Sequence, residues 1–323
     1  MTETPSKTAP TSDATRLQQM EQNTSRDESR QARRTFWGDL ALRIAFVIFL
    51  LALWQCAHYL LVTKPQDFSR GALFPSPAQV GVWLWDKFGL SYLTGDYQPP
   101  PGEDMPDSFW GALRLAAYPA AIGASIWRLL QGYFIATMIG FPTGLLVARS
   151  ALAEKTVGWL SISLQSLPSI CWIPLALLWF GRAGIAAPIL FVTIMGSLFA
   201  TVVTVADGIR NVSPILARAG RTLGASGPRL YFSVLLPAAL PGIVSGLKVG
   251  WGFAWRSLMA AELIVNSGGL GFLLQHDREF GDADGVLATI LVIIVIGLLV
   301  QDLLFKPIER KLQALWGLTG VRS

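Results

Sequence analysis

The sequence predicts an all-α, polytopic membrane protein of six transmembrane helices, with a disordered N-terminal tail and an interfacial helix in the first outer loop. Three observations carry that prediction. The 323 residues are 52% hydrophobic and only 15% charged, whereas soluble domains carry about 25% charged residues. The apolar residues come in blocks of about twenty, the length that crosses the hydrocarbon core of a bilayer as a helix. Twelve Trp and 31 Gly suit a chain in which Trp gathers at membrane interfaces and Gly is frequent within spans. The net charge of +5 then calls for no nucleic-acid partner, because much of the basic excess lies beside the apolar blocks.

Residues 1–35 are rich in Thr, Ser, Gln, Glu and Arg and show almost no apolar periodicity, which predicts a disordered tail. They lack the short basic start and immediate apolar core of a cleaved signal peptide, so the first span is expected to be retained. Spans are expected over 40–62, 120–148, 157–180, 185–206, 238–265 and 286–305. The chain therefore divides into the tail, a first span with its outer segment (36–119), a five-helix core (120–305) and a C-terminal segment (306–323). In the outer segment, Leu73-Phe74-Pro75-Ser76-Pro77 leads into an amphipathic helix carrying Val80, Val82, Trp83, Trp85 and Phe88. Its two Trp residues predict a position at the outer membrane interface. Gln98-Pro99-Pro100-Pro101-Gly102 reads as an extended connector.

Lys and Arg set the expected orientation. Arg26, Arg30, Arg33 and Arg34 precede the first span; Arg149 and Lys155 follow the second; Arg210, Arg218, Arg221 and Arg229 follow the fourth; Lys306, Arg310 and Lys311 follow the sixth. The alternate loops carry Asp96, Glu103, Asp104 and Asp107, then Asp277, Glu279, Asp282 and Asp284. The positive-inside rule places both termini and the 207–237 loop in the cytoplasm.

That loop is the most informative stretch. Pro214 can open a helix, in which Ile215 and Leu216 precede the small residues Ala217, Ala219 and Gly220. Gly224-Ala225-Ser226-Gly227-Pro228 ends it, and a second helix from Arg229 re-enters the membrane at Leu236-Pro237. A short polar element tied to two spans, with small residues that admit another protein's surface, is what force transmission to a soluble partner requires. An ordinary basic loop with a Gly turn is the plainer alternative.

Charges within the apolar blocks are Arg128, Lys248, Arg256 and Glu262. Each cation deep in a span costs about 2.5–3.5 kcal/mol on insertion scales, so an unpaired one needs a reason. Arg256 and Glu262 are six residues apart and fall on different sides of one helix. Glu262 is therefore expected to meet a cation of another span, such as Arg128. Arg256 either faces a wet cavity and attracts an anionic substrate or has a structural role. Gly242, Gly246 and Gly250 form a stripe that serves either a dimer or pore-lining contact or packing within the subunit. Pro142 and Pro174 are expected to kink their spans.

Several motifs together resemble the membrane subunits of ABC importers for nitrate, taurine and aliphatic sulfonates. Arg218-Ala219-Gly220, three residues, Gly224, nine residues, Val234, one residue and Leu236-Pro237 keep every spacing of that family's "EAA" loop. Arg218 replaces its Glu, and Gly220 its second Ala. Leu164-Gln165-Ser166-Leu167-Pro168, Trp172-Ile173-Pro174-Leu175 and Trp179-Phe180-Gly181 resemble the family's third span. Ser125-Ile126-Trp127-Arg128-Leu129, Gly132-Tyr133 and Gly140-Phe141-Pro142-Thr143-Gly144 resemble its second span. Leu236 to Pro241, Gly246-Leu247-Lys248, Ala254-Trp255, Ala260-Ala261-Glu262 and Gly269-Leu270-Gly271 resemble its fifth span and the loop after it.

The resemblance implies the type I importer permease fold in a bacterial inner membrane. It also implies a second permease copy, a periplasmic or lipid-anchored substrate-binding protein, membrane lipid as surroundings, and a dimer of cytoplasmic ATPases that carries ATP and Mg. The coupling loop would include Arg218, Ala219, Gly220, Gly224, Ala225, Ser226, Leu236 and Pro237. The cargo would be a small anion: nitrate, bicarbonate, taurine or another sulfonate. Reversing charge at position 218 should call for a compensating acid, on the partner or elsewhere. An ATP-independent secondary transporter is the competing class, with Glu262 its evident coupling group. No Gly-x-x-x-x-Gly-Lys-Ser/Thr loop is present, so ATP hydrolysis is not expected on this chain. Two His and two Cys, Cys56 and Cys171, lack metal-ligand spacing and read as packing or interfacial residues.

Overall fold

The computed structural model describes residue 38 and residues 41–63, 74–99 and 102–315. The expected tail 1–35, Pro100 and Pro101 of the connector, and residues 316–323 lie outside the described residues. Regular structure among the described residues is entirely helical, and these residues divide into two units, one up to Pro77 and one from Ala78.

In the first unit, α1 (Ala41–Val62) is long and apolar enough to cross a bilayer. Trp54 Nε1 donates to the Pro75 carbonyl at 3.0 Å, and His58 Nδ1 donates to the Phe74 carbonyl at 2.8 Å. These two bonds hold Phe74 and Pro75 against the helix.

In the second unit, which begins after the helix's first residue, α2 (Pro77–Lys87) realises the amphipathic helix. Trp83 turns inward, its ring 5.5 Å from Tyr118 and its Nε1 donating to Asp282 at 3.1 Å. Of the apolar residues expected on the interfacial face, only Val82 and Trp85 are exposed. The indole N–H explains the difference, since a buried Trp needs an acceptor and Asp282 supplies one. Next, α3 (Phe109–Leu115) is capped by the Ser108 side chain, which accepts from the Gly111 amide.

Four long helices follow in the expected places: α4 (Ala117–Arg149), α7 (Ala186–Arg210), α9 (Gly227–Ile264) and α11 (Ala283–Leu312). The span expected over 157–180 is instead two helices, α5 (Ala151–Gln165) and α6 (Ser169–Ala183), bent by 102°. Pro168, with ψ 131°, is the cause: it donates no amide and disfavours helical geometry at Leu167. Pro174 kinks nothing, because it occupies the first turn of a helical segment, where a missing N–H is free. Pro142 lies inside α4, which continues through it. In α9 and α11, π turns at Tyr231–Leu235 and Gln301–Phe305 each end two residues before a proline, Pro237 and Pro307. The widened turn gives room to a ring that would clash with the carbonyl four residues back.

Helix α7 is the central post, packed between α4 and α9 and the most buried of the long helices. The buried face of α4 is mostly small, with Ala121, Ser125, Gly132, Ala136, Gly140 and Gly144 at helical spacing between Tyr118, Leu129 and Val147. A Cβ at Gly132 would lie 2.7 Å from Thr193, and one at Gly144 2.8 Å from the Val202 carbonyl. From the other side, Cβ atoms at Gly246 and Gly250 would lie 2.7 Å from Thr204 and 2.8 Å from Thr201. The Gly242–Gly246–Gly250 stripe thus packs within the subunit. Thr193, Thr201 and Thr204 each return their hydroxyl proton to a carbonyl of the preceding turn, at 2.8–2.9 Å. Helices therefore close up on the glycines without stranding these three hydroxyls.

Candidate functional site

Between α7 and α9 stands α8 (Pro214–Thr222), capped by Ser213, whose side chain accepts from Ile215. Its C-terminus closes as a Schellman motif: the Ala225 amide donates to Gly220 at 2.9 Å and the Gly224 amide to Arg221 at 3.0 Å. Gly224 takes φ +84°, the left-handed conformation that glycine adopts without a Cβ penalty. Gly220 is buried where a Cβ would meet Leu230 Cδ1 at 2.7 Å and Val234 at 3.3 Å. Glycine at this position therefore lets α8 seat tightly on the start of α9. The opposite side is bare. Leu223 is 88% and Ile215 68% exposed, with Arg218 and Arg221 beside them, also exposed. Among the described residues neither Arg has an ion-pair partner.

At the other end of α9, Glu262 is fully buried. Its carboxylate accepts from Arg128 Nη1 at 2.8 Å, Ser125 Oγ at 2.7 Å and the Gly271 amide at 3.2 Å. Arg128 Nη2 also donates to the Ser267 carbonyl at 2.6 Å, and Ser125 Oγ accepts from the Leu270 amide at 2.9 Å. The carboxylate thus sits at the N-terminus of α10 (Leu270–Glu279), where the helix dipole favours negative charge. This network ties α4, α9 and α10 together. It also explains Gly269-Leu270-Gly271: a Cβ on Gly269 would lie 2.3 Å from Glu262 Oε1, and one on Gly271 2.9 Å from the Met259 carbonyl. At the far end of α10, Asp277 is buried and its Oδ2 has no hydrogen-bond partner among the described residues. Burial pushes this carboxyl above the ordinary aspartate range; His276 opposes the rise and Asp282 adds to it.

The remaining charges of α9 separate. Lys248 meets Glu309 of α11 at 3.4 Å, a partner 61 residues away. Arg256 has no acidic partner among the described residues. Its Nε donates to the Gly252 carbonyl at 3.1 Å, and its guanidinium lies 4.6 Å from the centre of the Phe253 ring. It borders a cavity of about 210 Å³ whose wall includes the break between α5 and α6.

A family model, the binding-protein-dependent transport system inner membrane component, matches residues 140–313, over half of the chain. This chain belongs to that family. Among similar proteins, the taurine transport system permease protein TauC of Escherichia coli (strain K12) is 32% identical over 72% of this chain and 84% of its own length. The nitrate import permease protein NrtB of Leptolyngbya laminosa is 29% identical over 84% of this chain and 86% of its own. A chain of the inward-facing MetNI methionine ABC transporter shares the fold with a TM-score of 0.53 at 21% identity, covering 59% of this chain and 94% of that one.

In this permease, the loop residues predicted from spacing divide between two surfaces. Gly220 faces inward, while Arg218, Ala219, Gly224 and Ser226 are exposed and Ala225 is partly so; Leu236 and Pro237 open the α-helical run that follows the π turn. The structure joins Arg128 to Glu262 and leaves Arg256 apart from both. Sequence reasoning missed Ser125 and Gly271 as partners of Glu262, and Glu309 as the partner of Lys248. The Ser125 signal was its place one helical turn before Arg128. For Glu309 the sequence held no comparable signal, since only the fold brings α11 beside α9.

Proposed function

We propose that this chain forms the transmembrane path of an ATP-driven importer and couples to a separate ATPase through the 207–237 loop, with α8 as the docking element. The exposed apolar and basic face of α8 carries this reading. A nine-residue helix that is braced on α9 by a buried glycine and leaves Ile215, Leu216 and Leu223 bare is a surface built for another protein. Arg218 finds no acid among the described residues, so the compensating acid belongs on the ATPase, whose dimer carries ATP and Mg. Positive-inside bias puts α8 and both termini in the cytoplasm. The acidic side, with α10 and its Glu262 staple, then faces the substrate-binding protein. A second copy of the permease completes the pore. ATP-driven closure of the ATPases would draw the two loops together and switch the path between its two faces. The names of the relatives favour a small oxoanion such as nitrate or a sulfonate as cargo.

The competing secondary transporter needs a free acidic group at depth. Glu262 fails that need, because Arg128, Ser125 and the Gly271 amide already occupy its carboxylate. Docking is tested with the double variant Ile215→Asp, Leu223→Asp, whose two positions are exposed. Co-expressed with its ATPase, the intact chain should retain that subunit through purification, and the variant should lose it while keeping its own melting temperature. Equal retention by both would remove α8 from the coupling role.

A further inference from the structure

Two features of the permease that are independent in sequence meet at one cavity. The first is Arg256. Among the described residues it has no carboxylate partner, and its terminal nitrogens have no protein acceptor; only Nε is engaged, by the Gly252 carbonyl. An arginine at depth in a spanning helix faces a protein or aqueous interior, not lipid. The second is the unwound stretch Ser166–Pro168 between α5 and α6. Irregular backbone at membrane depth is tolerated where it is buried in protein or lines water. Both border the cavity of about 210 Å³, where Gln165, Ser166, Ser169 and Ser257 add amide and hydroxyl groups. Its volume lies below the ~300–1,000 Å³ of sites for drug-sized ligands, so it suits a small solute.

We infer that this cavity is where the translocation path reads the charge of its cargo, with the two terminal nitrogens of Arg256 gripping a small oxoanion head group. The inference rests on the importer reading above and deepens it. A guanidinium presents parallel N–H groups at the spacing of two oxygens of a nitrate, sulfonate or carboxylate, which a lysine cannot reproduce. Phe253, with its ring centre 4.6 Å from the guanidinium, supports the group by a cation–π contact, and only Nε is taken up by a protein acceptor. Ser169, Ser257 and Gln165 offer neutral donors that complete the shell without trapping the ion, whereas the Ser166 hydroxyl already donates to the Ser163 carbonyl. A transport site requires binding firm enough to enter and weak enough to leave.

The test uses the complete complex of permease, ATPase and binding protein in proteoliposomes, with nitrate, taurine and methanesulfonate as probes. Arg256→Gln should lower ATP-dependent uptake of the transported probe by about 10-fold or more, as loss of a charge-assisted bidentate contact implies, with the ATPase still bound. Arg256→Lys should recover part of that rate. In a Cys56→Ser, Cys171→Ser background, since both native thiols are exposed, Arg256→Cys should react with a water-soluble thiol reagent. The transported probe should slow that reaction, and a cationic reagent should restore uptake. Unchanged uptake in Arg256→Gln, failure of that variant to assemble, or a thiol in the Arg256→Cys variant that the transported probe leaves unprotected would each overturn the assignment. If the unmodified complex imports none of the probes with ATP, the importer reading itself falls and takes this inference with it.

Discussion

Replacing Arg128 with Ala is expected to destabilise the permease by about 3–5 kcal/mol, the cost of stranding a buried charge when its partner is removed. Glu262 is 0% exposed and the Arg128 side chain only 16%, so water cannot take over the lost bond. Glu262→Gln should cost less, because the amide oxygen still accepts from Ser125 or Gly271. The pair Arg128→Met with Glu262→Leu should recover much of the loss, since removing both charges removes the desolvation penalty with them. Thermal unfolding of these proteins in one detergent measures this, and with Arg128→Met and Glu262→Leu added as single variants the Met/Leu set closes a double-mutant cycle. An Arg128→Ala protein that melts with the unmodified chain would show that the ion pair holds nothing together.

Gly144→Ala is expected to lower stability by about 1–3 kcal/mol, the range for forcing extra carbon into a filled interface. Its added Cβ would lie 2.8 Å from both the Val202 carbonyl oxygen and Val205 Cβ. The carbonyl is backbone of the central post α7, so no side-chain rotation relieves the clash. Gly252→Ala is the counter-case. A Cβ there meets nothing within 4 Å, and replacing an interior helix glycine with alanine gains up to about 1 kcal/mol. The two substitutions, chemically identical, should shift the melting temperature in opposite directions. Gly220→Ala should fall between them, because its nearest obstacle is the end of the flexible Leu230 side chain.

These residues show what the sequence could reveal. The spans were legible because blocks of apolar residues at bilayer length have few other uses. The Arg128–Glu262 pair was legible for a related reason: an acid buried in an apolar helix needs a cation, and Arg256 lies on another side of its own helix. The α8 loop could be read from its spacing and from Gly224, whose left-handed turn is a local property. The break at Pro168 was not, because proline reads alike whether it kinks a helix, opens one or ends one. Pro142, Pro174 and Pro168 take different roles here according to the backbone around them. The Gly132–Gly140–Gly144 stripe escaped notice for a related reason. Small residues at helical spacing mean close packing only once the fold supplies Thr193, Thr201 and Val205 opposite them. Trp83 looked interfacial by composition, yet Asp282, distant in sequence, drew it inward.

Energy source separates an ATP-coupled permease from a secondary carrier most directly. The permease, its ATPase and its binding protein are reconstituted into proteoliposomes, and uptake of nitrate or taurine is followed with ATP trapped on the ATPase side. Uptake is expected to require ATP, stop with vanadate and persist when ionophores collapse the proton and sodium gradients. Uptake that survives ATP depletion and disappears with the ionophores would contradict it.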